Sequence, residues 1–179
     1  MSFEEVRVIT VVYLAVFLPL FIYFTNKSKL PNWIPTFYIV GVVVCALGWE
    51  LWFTYGWVDG HSVDIRRSEV LNTWLPKNLN WLMNSMGDAG AVLLGGVWLM
   101  WLTHRKDATI FKQWRWSAFT ILIFWCISQN ILVEMFLYHD QLADGKPLSW
   151  APMSPLGPYF NPILSVSYTH LTLPTTPYV

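Results

Sequence analysis

Apolar residues fill four stretches of this chain, at about 8–24, 37–55, 79–102 and 116–138, and polar residues collect between them. At a rise of ~1.5 Å per residue, helices of this length cover the ~30 Å hydrocarbon core of a bilayer with little to spare. The pattern predicts an all-α, polytopic transmembrane bundle of four spans forming one domain over residues 1–165. Pro19 is expected to kink the first span. That span does not read as a secretory signal. It is preceded by Glu4 and Glu5 and followed by Thr25-Asn26-Lys27-Ser28-Lys29, without a small-residue cleavage site. The third span is rich in small residues (Gly87, Ala89, Gly90, Ala91, Gly95, Gly96), which let helices approach closely.

Three carboxylates interrupt this apolar pattern: Glu50, Asp88 and Glu134, each on a different predicted span. A charge at the bilayer centre costs at least ~2.5–3.5 kcal/mol on insertion scales, so such residues normally face the bundle interior. Glu50, Asn84 and Glu134 lie four or five residues inside the same boundary. That puts them about 6–8 Å deep, with Asp88 and Asn130 one turn deeper. Asn84 and Asp88 are four apart, as are Asn130 and Glu134, so each pair shares a helix face. His139 and Asp140 close the outer end of the fourth span. The inner halves of the second and fourth spans are apolar.

Buried carboxylates without cationic partners can exchange protons near neutrality. The constellation therefore predicts a site for binding or acid/base conversion of a lipid-soluble small molecule. Glu50, Asp88 and Glu134 would be the acid/base groups, with Asn84 and Asn130 orienting the molecule. The competing reading is that the acids merely tie helices together by hydrogen bonds. A metal site is weakly signalled, with no HxxxH or HExxH spacing, and no metal ligand is assigned.

Composition supports lipid as the solvent. The chain is 55% hydrophobic and 12% charged, against about 25% charged in soluble domains. Its net charge of zero excludes a nucleic-acid binder, which needs a basic face. Of 12 tryptophans, Trp33, Trp57, Trp81, Trp101, Trp114 and Trp116 fall near span ends, where an interfacial belt is expected. Cys45 and Cys126 sit in apolar runs without a CxxC spacing, which disfavours thiol–disulfide exchange.

Loops 25–36 and 103–115 carry Lys27, Lys29, Arg105, Lys106, Lys112 and Arg115 against one acid, Asp107. This bias predicts that they are cytoplasmic, with the N-terminus outside, in a bacterial inner membrane. The outer loop over residues 56–78 has a turn signal at Asp59-Gly60, and Ser68 to Trp74 reads as a short interfacial helix. One reading makes this loop a lid, with His61, Asp64, Arg66 and Arg67 contacting a substrate head group and His139 adding to the site. The other makes it a surface cap held by salt bridges and tryptophans. After Asp140, five prolines (147, 152, 155, 158 and 162) rule out a continuous helix.

The segment Val166-Ser167-Tyr168-Thr169-His170-Leu171-Thr172-Leu173-Pro174-Thr175 resembles the conceptual translation of a transposase (tagmentation) sequencing adapter. The resemblance implies that residues 166–179 are a non-native tail and that a fifth helix is cut short. Residues 1–165 carry no comparable motif. Four-helix sterol-isomerase-like membrane proteins also hold acids inside helices, but they pair a His with a Glu one turn later. Here Ala46 precedes Glu50 by four residues, so that resemblance is architectural only. Tryptophan-rich porphyrin-binding sensory proteins share the aromatic content but none of their motifs is found.

No nucleotide-binding signature is present, so the chain is not ATP-driven on its own. The expected partners are the bilayer and a hydrophobic small molecule. The alternatives are a proton-coupled transporter or channel subunit, and a structural or assembly subunit of a membrane complex. A transporter generally needs access from both faces, which the apolar inner halves do not supply.

Overall fold

The computed structural model describes residues 1–55, 64 and 67–133, and among these every regular element is helical, with no strand. Three helical stretches are long and apolar enough to cross a membrane: Phe3–Lys29, Ile34–Leu51 and Lys77–Thr103. The apolar part of the fourth, Trp116–Gln129, is shorter within the described residues.

Helix α1 spans Phe3–Asn26. Ser2 caps it: its hydroxyl accepts from Glu5 N–H (3.2 Å) while Glu5 accepts from Ser2 N–H (2.7 Å), the reciprocal capping box. The helix begins five residues earlier than the apolar stretch suggests, because this cap lies upstream of it. It also runs through Pro19 without ending. Pro19 has no N–H, so the carbonyl of Ala15 loses its helical donor. Gly90 of the third stretch approaches that carbonyl. A Cβ at position 90 would stand 2.9 Å from the Ala15 oxygen, so only glycine permits the contact.

The second apolar stretch is not the single helix its hydropathy predicts. It forms α2 (Ile34–Leu47) and α3 (Trp49–Tyr55), broken at Gly48. Gly48 adopts φ −90° and ψ −121°, and a Cβ there would lie 2.6 Å from the Val44 carbonyl oxygen. A residue with a side chain could not make this corner without moving the backbone.

Ser68 caps the short helix α4 (Glu69–Trp74), accepting from Leu71 N–H at 3.3 Å, where the sequence predicts an interfacial helix. The third stretch is continuous but changes register. It is α5 (Lys77–Asp88), then a π turn (Ala89–Leu94), then α6 (Gly95–Thr103). Arg105 and Lys106 follow in left-handed backbone conformations. Asp107 starts a 3-10 turn, Ala108–Phe111. Hydrogen bonds from the Thr109 hydroxyl and N–H hold the Asp107 carboxyl below its ordinary range, with Arg115 adding to the effect. Helix α7 is Trp116–Val133.

The α5–π–α6 rod is the organising element. It packs against α1, α2 and α3 along its first half, and α7 packs against the π turn and α6. Val8, Val12 and Val16 of α1 form one buried stripe with Leu71, Leu75 and Met83, the i, i+4, i+8 spacing of one helix face. Ile34, Leu94 and Val97 make a second core. Large apolar side chains point outward: Phe21 is 66% exposed, Ile39 60% and Phe124 71%. Exposed apolar surface on several helices is what a protein solvated by lipid presents.

The tryptophans divide between the two roles. Trp33, Trp114 and Trp116 are exposed, consistent with a belt, whereas Trp101 is 1% exposed and belongs to the core. Trp57 and the tail at 166–179 lie outside the described residues.

The Gly90 contact generates the first prediction. Gly90→Leu should push α1 off the rod and lower stability by about 1–3 kcal/mol, the usual penalty for overpacking. Thermal unfolding in detergent checks it. An unchanged midpoint would mean that Ala15 and Gly90 are not in contact.

Candidate functional site

The break at Gly48 creates the site. Past it the chain restarts as α3, and the first two residues, Trp49 and Glu50, reach toward α5. The Trp49 indole N–H donates to Asp88 Oδ2 at 2.7 Å. The Glu50 side chain is buried, at 5% exposure, and Asn84 hydrogen-bonds its carboxyl group. Asp88 stands close enough to Glu50 for the two carboxyls to interact electrostatically, and Cys45 on α2 senses both. Three of the residues singled out from sequence, Glu50, Asn84 and Asp88, thus meet at the α3–α5 contact. The i,i+4 relation of Asn84 and Asp88 is what lets one face of α5 serve Glu50 twice.

Two oxygens in this cluster have no hydrogen-bond partner among the described residues: Glu50 Oε2 and Thr54 Oγ1. Thr54 is 1% exposed and lies four residues after Glu50, on the same face of α3. An unmet buried polar group costs about 1–3 kcal/mol, and these two lie one helical turn apart. Neither acid is ion-paired with Lys or Arg among the described residues. Among the described residues no three His, Cys, Asp or Glu side chains are grouped to hold a metal ion. The chemistry on offer is therefore two carboxyls, an amide and a hydroxyl, with an indole fixing one carboxyl.

Other predicted members fall elsewhere. Arg67 is turned into the protein. Its guanidinium donates to Asn80 Oδ1 (3.0 Å), Asn72 Oδ1 (3.0 Å) and the Leu75 carbonyl (2.6 Å), locking the α4–α5 corner. Asp64 pairs with Lys77 at 3.4 Å, and its carbonyl accepts from Asn72 at 2.7 Å. Ser68 donates to Glu5 Oε1 at 2.6 Å, which ties this corner to the start of α1. These contacts are those of a cap fastened over the bundle. His61, Arg66, Glu134 and His139 lie outside the described residues, as does the side chain of Asn130.

Sequence reasoning missed Trp49 and Thr54. Neither belongs to the set of intramembrane acids and amides that the sequence brings forward. The available signal was Gly48, whose position immediately before Trp49-Glu50 foretells a change of direction.

No protein-family model matches the chain, and no curated protein or solved structure is significantly similar to it. The site must therefore be read from its own geometry.

The Trp49–Asp88 bond yields the second prediction. Trp49→Phe keeps an aromatic ring and removes the donor. It should cost about 0.6–1.7 kcal/mol, the span measured for hydrogen bonds between membrane helices. A double-mutant cycle with Asp88→Ala checks it, and additive effects would show that the two side chains do not interact.

Proposed function

We propose that the chain is an integral membrane protein of four spans that binds a lipid-soluble small molecule and acts on it by acid/base chemistry. In this reading Glu50 exchanges the proton, Asp88 shares the charge, and Asn84 and Thr54 orient the bound molecule. Glu134, Asn130 and His139 complete the site from the fourth span. The observation that carries the reading is Glu50 Oε2, a buried carboxyl oxygen without a hydrogen-bond partner among the described residues, beside a second acid. A molecule with a hydroxyl or N–H group would satisfy it and could give up or receive a proton there.

The second reading is a tie between helices in a structural or assembly subunit. It draws on the Trp49–Asp88 hydrogen bond, which joins α3 to the rod without any ligand.

One experiment separates them. The protein purified from its host membrane should retain a small molecule in native mass spectrometry, and Glu50→Gln should lose that molecule while inserting and folding as before. Deuterium from solvent should enter the retained molecule only with Glu50 intact. If wild type retains nothing and Glu50→Gln behaves identically, the helix-tie reading replaces the first.

Orientation is part of the proposal. Trp33 and Phe111 stack edge to face at 5.9 Å, which joins the loop before α2 to the one before α7. The shared basic residues of these loops favour the cytoplasm. A reporter fused after Arg105 should read as cytoplasmic, and one placed at residue 60 as external. The reverse pattern would invert the side from which the acids are reached.

A further inference from the structure

A second feature lies at the opposite end of the rod from the Arg67 corner. An apolar pocket of about 40 Å³ opens between α1, the start of α2, the π turn and α6. Pro19, Ile22, Tyr23, Leu30, Leu94 and Trp98 are among its walls, and it shares no residue with the acid cluster. Its walls are predominantly apolar, the lining that a hydrocarbon group takes.

The charge around this pocket is one-sided. The 3-10 turn Lys27–Lys29 connects the α1 wall to Leu30, so both lysines sit at the rim, and both are exposed. The Trp33–Phe111 contact brings the second basic loop, with Arg105, Lys106, Lys112 and Arg115, to the same end. Asp107, the acid of these loops, is already engaged. It accepts from Thr109 N–H (2.9 Å) and the Thr109 hydroxyl (2.5 Å), and Arg115 stands 3.7 Å away. It does not neutralise the lysines at the rim.

The backbone fixes where the second basic loop begins. Arg105 and Lys106 have φ of 56° and 64°. Consecutive left-handed residues are normally Gly or Asn, because a Cβ costs about 1–2 kcal/mol there. Here they terminate α6, with Lys106 N–H closing on the Trp101 carbonyl at 2.8 Å, and so fix the second basic loop at this end.

We propose that this end of the protein is a binding site for an anionic glycerophospholipid, with an acyl chain in the pocket and the phosphate on Lys27 and Lys29. From Ile22 to Lys27 the chain climbs about 7–8 Å, close to the thickness of one interfacial layer, about 5–7 Å. A lipid whose chain lies against Ile22 thus presents its phosphate at the level of the lysines. Basic pockets between spans on the cytoplasmic side are suited to such head groups. The site requires the membrane reading above but not the acid pair.

Native mass spectrometry of the purified protein, titrated with phosphatidylglycerol or phosphatidylcholine of the same chains, tests it. Phosphatidylglycerol should be retained preferentially, and Lys27→Gln and Lys29→Gln should each weaken it about fivefold. Ile22→Trp should fill the pocket and abolish the preference with no change in charge. Lys77→Gln, at the other end of the rod, should leave retention within twofold of wild type. Equal retention of the two lipids by wild type overturns the site. So does an equal loss in Lys77→Gln, which would show that the effect is not local to this end. Competition by glycerol phosphate at the same concentrations would reduce the site to a phosphate site and overturn the role of the pocket. Circular dichroism shows whether each variant is folded, and the two lysine variants test the site if Ile22→Trp is not. Failure of the protein to partition into bilayers would instead refute the membrane reading, and Glu50→Gln reports on the acid site separately.

Discussion

A carbonyl oxygen released from its helical N–H must find another donor where the surroundings are hydrocarbon, because no water is present to serve it. Among the described residues the helical ladder is disturbed at three places, and another helix packs at each. Pro19 frees the Ala15 oxygen, and Gly90 packs against it. Gly48 ends α2, and the Ala46 oxygen, which an unbroken helix would give to the Glu50 N–H, accepts from the Trp81 indole at 2.8 Å. The π turn shifts the ladder so that Gly95 N–H bonds the Gly90 carbonyl, and the Ala91 oxygen accepts from the Trp125 indole at 2.8 Å. The irregularities are thus the points at which the helices are joined.

The acid cluster follows from the second of these joints. The corner at Gly48 lets Trp49 bond Asp88 while Glu50 meets Asn84. Trp81 holds the corner from the other side. The indoles therefore act twice, once on backbone oxygens and once on a carboxylate, and in both roles the large ring also fills the space that a break opens.

Much of this was legible in the sequence. The apolar stretches gave the helices, and the i,i+4 spacing of Asn84 and Asp88 put them on one face, where Glu50 finds both. Ser68 before Glu69 announced the α4 cap through its residue type. What hydropathy could not convey was where a helix is interrupted, since Gly48 and the Ala89–Leu94 segment are as apolar as their neighbours. The tryptophans misled for a related reason. An indole scores the same whether its N–H meets a head group or a carbonyl of the next helix, so Trp81 near a span end suggested a belt. Arg67 looked like a head-group ligand because its partners, Asn72, Asn80 and the Leu75 carbonyl, come together only after α4 has folded back on α5.

The two candidate sites are chemically opposite and lie on one rod. Asp88 closes α5, the π turn begins at the next residue, and the turn ends at Leu94 in the pocket wall. Within that turn Gly90 meets α1 and Ala91 meets α7 through Trp125. A π turn carries one residue more than an α-helical turn would need, and returning it to α-helical register would rotate everything beyond it. Such a change would break the Trp125 bond, alter the wall formed by Leu94 and Trp98, and turn α6 relative to Asp88. The acid cluster and the apolar pocket are therefore joined by the six residues of the π turn.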